Sequence, residues 1–122
     1  MELMLHRTTL KEGAADAYRE LHSRIPAVFE EALREAGVTQ WSIWRDGNQL
    51  IHVIETRYGL DEMERRLNAR GTIDPEWDAL IAPLGEHGPG SWSRLEPIWL
   101  MTETGQTSGA DIYEAGARPP RD

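Results

Sequence analysis

The chain has no cysteine, which excludes disulfide bridges, a thiol nucleophile and Cys-ligated zinc. It also lacks any block of Lys and Arg: 13 basic residues, adjacent only at Arg65-Arg66, are scattered among 21 acidic ones, for a formal charge of −8. Nucleic acid and anionic membrane are disfavoured as partners, because both are held by clustered positive charge. No apolar run approaches the length that spans a bilayer, and the first ten residues carry a His-Arg pair where a secretory leader needs an apolar centre. These absences lead to the expectation of a cytoplasmic protein. Metal-ligand spacing is missing as well. His6, His22, His52 and His87 form neither His-x-His nor His-x₃-His pairs, so no metal is expected. Ser23, Ser42, Ser91 and Ser93 lack the Gly-x-Ser-x-Gly elbow of a nucleophilic serine, and no Gly-rich phosphate loop opens a helix. Acid–base chemistry remains.

What is present suits one small domain. The 122 residues can bury a genuine but modest core, and 39% hydrophobic content with five tryptophans leaves large aromatic surfaces to place. Residues 2–9 read as a strand, with Leu3, Leu5 and Arg7 on one side and Met4, His6 and Thr8 on the other. Apolar residues at helical spacing predict a long helix over 14–36, ended by Gly37. Residues 38–45 alternate Trp41 and Ile43 against Ser42 and Trp44, Asp46-Gly47-Asn48 is a hairpin turn, and 49–57 return as the next strand. A second helix is expected over 60–69, with Asp61 and Glu62 early and Arg65, Arg66 and Arg70 late, which suits its dipole. Asp74-Pro75 reads as a cap followed by proline at the first position of a short helix through Ile81. A last strand is expected over 94–101. From Thr102 onward the apolar periodicity is lost, and 102–122 is expected to be a flexible tail or an arm on a partner subunit.

The order strand, helix, strand, strand, helix, strand is the split βαβ arrangement of an α+β, ferredoxin-like fold: residues 1–101 as one domain, an antiparallel sheet with helices on one face. Trp41, Trp44, Ile51, Val53, Ile98 and Trp99 make both sheet faces fairly apolar. A homodimer with two sheets packed face to face would bury the surplus.

Within the first helix, Tyr18 and His22 stand four residues apart among Leu21, Ile25, Val28, Phe29, Ala32 and Leu33, and so point to the buried side. Pro26 follows four residues after His22. Its missing N–H deprives the His22 carbonyl of a donor, which predicts a bend. A histidine on an apolar face is more often a hydrogen-bonded core residue than a site. An imidazole, a phenol and a distorted helix in one place nevertheless point to proton transfer near pH 7, with the Tyr orienting the substrate. Trp41 and Trp77 are candidate flat walls, against which the C–H-rich face of a sugar stacks.

These residues carry a resemblance. Ala17-Tyr18-Arg19-Glu20-Leu21-His22, Ile25-Pro26, Leu33-Arg34-Glu35-Ala36-Gly37, Trp41-Ser42-Ile43-Trp44 with Asp46-Gly47, then Trp77 and Leu95-Glu96-Pro97-Ile98-Trp99 resemble the L-rhamnose mutarotase family in order and spacing. The resemblance implies a cofactor-free homodimer of ferredoxin-like fold that interconverts the α and β anomers of an L-6-deoxyhexose such as L-rhamnose or L-fucose. It places the family's proton-donating His on His22, its substrate-contacting Tyr residues on Tyr18 and Trp41, and its Trp-Trp pair on Glu76-Trp77. Three positions depart from the family pattern: Ile25 stands for a Trp, Trp41 for a Tyr and Glu76 for a Trp. Two other readings accompany it. Dimeric ferredoxin-like proteins include cofactor-free oxygenases and isomerases of small aromatic molecules, and a non-catalytic sugar-binding module would use Tyr18 and His22 merely to bind.

Overall fold

The computed structural model describes residues 2–88, 91–110 and 112. Period-two alternation builds the centre of the sheet. In β1 (Glu2–Thr9) the side chains of Glu2, Met4 and His6 are buried, and in β3 (Gln49–Thr56) those of Leu50, His52, Ile54 and Thr56 are buried. With β2 (Val38–Asp46) and β4 (Trp92–Arg94) they form an antiparallel sheet in the order β2-β3-β1-β4. This is the ferredoxin-like order. The β2–β3 hairpin turns through Gly47, at φ 59°, and Asn48, as the Asp-Gly-Asn signal requires.

One face of the sheet is covered by helices. α1 (Ala15–Leu21) and α2 (Ala27–Glu35) lie between β1 and β2, while α3 (Leu60–Arg70) and α4 (Pro75–Ile81) follow β3. The covered face holds two separate apolar clusters. Met4, Ala36, Ile54, Leu60 and Met63 form one, and Leu10, Ala14 and Leu50 form the other. Along β3 the clusters claim Ile54 and Leu50, and His52 stands between them.

Three expectations change. The helix over 14–36 is two helices, not one bent helix. Pro26 adopts ψ 140° and caps α2, and a residue before proline is pushed out of the helical region, so residues 22–26 leave the helix altogether. The strand over 94–101 is also two pieces. β4 ends at Arg94; Pro97 cannot donate to a ladder, and β5 (Trp99–Thr102) instead pairs with β6 (Gly105–Ser108) in a separate two-stranded sheet. Part of the segment expected as a tail is therefore strand, while residues 111 and 113–122 lie outside the described residues. The short helix, by contrast, ends at Ile81 as expected, and a 3₁₀ turn over Ala82–Leu84 carries the chain past Pro83. Among the described residues no helix is long and apolar enough to cross a membrane.

A β-bulge decides which way Trp41 points. Val38 pairs with Thr56 and Gln40 with Glu55, so Thr39 is extra, and its hydroxyl donates to the Glu55 carbonyl oxygen at 3.1 Å. Beyond the bulge Trp41 opposes Ile54 and Ile43 opposes His52, on the helix-covered face, while Trp44 opposes Ile51 on the open face.

Gly37 joins α2 to β2 at φ 101°, and a Cβ there would lie 2.8 Å from the Tyr58 ring, over which the Arg66 guanidinium sits at 4.3 Å. Gly37→Ala is expected to lower stability by roughly 1–3 kcal/mol in urea unfolding, through left-handed strain and displacement of that ring. A change below a few tenths of a kcal/mol would show that this junction relaxes freely.

Candidate active site

The gap between α1 and α2 leaves part of the sheet uncovered, and an open cleft of about 930 Å³ lies there. That is large for a small-ligand cleft, which ordinarily runs about 300–1,000 Å³. Tyr18, His22, Trp41, His52 and Trp77 all contribute to its lining. Four of the five residues singled out from the sequence are thus brought together. Glu76 is not: it is exposed on α4 and stands outside the cleft lining.

Local structure positions each group. Tyr18 lies on α1, and His22 is its C-terminal cap, with its backbone N–H bonded to the Tyr18 carbonyl at 3.0 Å. That spacing stacks the two rings, with centroids 4.1 Å apart and planes at 21°. Trp77 comes from α4, whose start is held by the expected cap: the Asp74 carboxylate accepts from the Trp77 N–H at 3.1 Å, with Pro75 next in the chain. The Trp77 indole meets the His22 ring edge to face at 5.1 Å. The imidazole is therefore sandwiched between a phenol and an indole.

Electrostatics keep these groups neutral. Burial lowers the pKa of His22 below the usual 6.5; the Tyr18 carbonyl offsets part of this but makes no hydrogen bond to the buried, unpaired Nδ1. Nε2 is then the ring nitrogen that can meet a molecule in the cleft. Burial pushes the Tyr18 phenol up to about 12, so it stays protonated and can donate a hydrogen bond.

His52, which the sequence offered only as a histidine without metal-ligand spacing, belongs to the cleft as well. It is buried beneath the cleft, its Nδ1 accepts from Trp41 Nε1–H at 3.3 Å, and its Nε2 lies 3.0 Å from Thr8 Oγ1. The signal that would have found it is parity: Leu50, His52, Ile54 and Thr56 share one face of a strand. Burial above all, and then the neighbouring His6 and His22, pull His52 down to about 4. His6 sits directly across from it on β1, is buried, and meets Trp92 edge to face at 4.6 Å. Burial, then Arg94, lowers its pKa too. Arg19, Arg24 and Arg45 also line the cleft. Among the described residues, no three His, Asp or Glu gather as a metal-ligand set.

The family model described as L-rhamnose mutarotase matches residues 4–103. No curated protein matches the chain. Solved structures share its fold. The L-rhamnose mutarotase of Formosa agariphila is 22% identical, with a TM-score of 0.66 over 84% of this chain and 100% of that one. Tetracenomycin F2 cyclase of Streptomyces glaucescens, a type-II polyketide cyclase, is 20% identical, with a TM-score of 0.53 over 84% and 98%. A protein of Agrobacterium tumefaciens is 22% identical, with a TM-score of 0.53 over 80% and 93%.

The buried histidines make stability pH-dependent. The folded state holds His52 at about 4 against 6.5 for a free histidine, so between these values the unfolded chain binds more protons. The stabilisation, about 3 kcal/mol, is complete above pH 6.5 and lost as pH falls towards 4. His6 and His22 act in the same direction. Urea midpoints should fall over that window, and fall less steeply in His52→Asn; identical profiles would refute the assignment to His52.

Proposed function

The chain belongs to the L-rhamnose mutarotase family, isomerases that act on carbohydrates, and on that premise we propose that it interconverts the anomers of an L-6-deoxyhexose, L-rhamnose or L-fucose, as a cytoplasmic homodimer. The observation that carries this reading is the His22 imidazole, stacked on Tyr18 and flanked by Trp77 at a cleft with an aromatic wall. A pyranose fits such a place chemically. Its C–H face lies on the indoles of Trp41 and Trp77, and its hydroxyls meet the phenol and the imidazole.

Proton transfer follows from the lowered pKa. Near pH 7 His22 is neutral, and its Nε2 takes the proton of the anomeric hydroxyl as the bond between the anomeric carbon and the ring oxygen breaks. The ring oxygen then takes that proton from the imidazolium, which leaves an open-chain aldehyde and restores neutral His22. Both oxygens belong to the anomeric carbon, so one nitrogen serves them in turn. Rotation about the adjacent C–C bond and the reverse steps close the ring on its other face. Tyr18, protonated throughout, holds the substrate by hydrogen bonding. Trp41 in place of a tyrosine removes one hydroxyl from the wall, which alters which sugar hydroxyls are satisfied and hence which sugar is preferred.

Dimerisation rests on the other face of the sheet. Leu5, Val53, Ile51 and Trp44 share it, and Trp44 is 65% exposed in the single chain. Two copies joined through this face would bury that patch.

A second reading is favoured by the aromatic cleft itself, since the fold is shared with a polyketide cyclase: a small aromatic substrate would stack where the sugar is placed here. Such a molecule would quench tryptophan fluorescence at micromolar concentration, whereas a free sugar would bind only weakly.

Saturation-difference NMR of anomer exchange decides the matter. L-Rhamnose or L-fucose should exchange faster with the protein than without it. The acceleration should fall off below the lowered pKa of His22 and drop by roughly 10²–10⁴-fold in His22→Ala. Full activity in that variant would end the proposal for His22. Sedimentation should give a dimer for the wild type and a monomer for Trp44→Glu; a monomeric wild type would overturn the face-to-face arrangement.

A further inference from the structure

Proton transfer at His22 does not require His52, yet His52 is buried in the cleft wall with both ring nitrogens engaged. The direction of its bonds is forced. An indole N–H can only donate, so His52 Nδ1 must accept from Trp41; a neutral imidazole then carries its proton on Nε2 and donates it to Thr8 Oγ1. The result is a one-way chain, Trp41 to His52 to Thr8, that crosses the sheet through β2, β3 and β1. Burial, by holding His52 near 4, keeps it neutral at working pH, and a charged ring would present a second donor to the indole. Packing fixes the imidazole further: Trp92 lies 5.2 Å from it, and the Trp41 ring stands at 71° to it.

We propose that His52 is the positioning residue that clamps the Trp41 indole as a fixed stacking wall, and that it thereby determines which sugars the cleft accepts. Two consequences follow for recognition. With its N–H committed to His52, Trp41 offers a ligand no hydrogen bond from that group, only a flat apolar face. The wall therefore selects monosaccharides with a continuous C–H or methyl surface, and discriminates against those that present a hydroxyl to it. This inference rests on the mutarotase reading for its substrate but not for the clamp, which exists in the free protein.

Three substitutions separate the ends of the chain. His52→Asn keeps an acceptor near the Nδ1 position, facing Trp41. His52→Gln keeps a polar group near the Nε2 position, facing Thr8. His52→Leu removes both. The Trp41 indole N–H signal in ¹⁵N-labelled protein, assigned with Trp41→Phe, reports the clamp without any substrate. In wild type and His52→Asn it should exchange slowly with water, and in His52→Gln and His52→Leu it should shift and exchange faster. KM for the sugar turned over should rise roughly three- to tenfold in His52→Gln and His52→Leu, with kcat within about twofold, as expected for one lost hydrogen bond that acts in binding. His52→Asn should restore KM. An unchanged indole signal in His52→Gln would overturn the clamp, as would a loss confined to kcat. If His52→Leu fails to fold, the contrast between Asn and Gln still decides. If the wild type turns over no sugar, the mutarotase reading fails while the indole signal independently upholds or overturns the clamp.

Discussion

A missing backbone proton shapes this molecule. Pro26 has no N–H to give the His22 carbonyl, and its ring pushes the preceding residue out of helical geometry, so a stretch with the apolar spacing of one helix becomes two. Had the helix continued, its apolar side would have covered the sheet without a break. Instead the cover parts above His52, the core divides into two clusters, and the cleft lies in the seam. The same break makes His22 a helix end, with its ring stacked on Tyr18 and not packed under the next turn.

The seam is polar in its atoms but nearly uncharged at its centre. Burial disfavours the charged forms of His6, His22 and His52 and of the Tyr18 phenol. Neutral imidazoles and a protonated phenol offer hydrogen bonds of both directions without a fixed charge to be desolvated. Such surroundings fit a neutral polyol, whose hydroxyls both give and accept, and they hold the His22 imidazole below its usual pKa. The arginines among the lining residues bring positive charge to a chain of net charge −8.

Much of this was legible from the residues alone. The hairpin at Gly47-Asn48, the Asp74 cap with Pro75, the stop at Gly37 and the pairing of Tyr18 with His22 are local, and local chemistry determines them. The ferredoxin-like order follows from the succession of elements. Three features were not local. Whether a proline bends a helix or ends it depends on what the residues before it find to pack against. The strand expected over 94–101 was split because Pro97 interrupts a ladder and β6 offers β5 another partner. For His52, alternation along β3 marks the face it shares with Leu50 and Ile54, but not that the helices cover this face, nor its partners Trp41 and Thr8, 11 and 44 positions away.

The extra residue at Thr39 has a bearing on how such a chain can change length. Pairing in the hairpin runs back from the Gly47-Asn48 turn, and before it reaches Val38 the strand β2 holds one residue more than β3 pairs with. The bulge absorbs the difference, with Thr39 tied to the Glu55 carbonyl and carboxylate outside the ladder. Removal of this one residue would restore regular pairing with β3, and Trp41 would keep its face, because its bearing is reckoned from the turn and not from the helix.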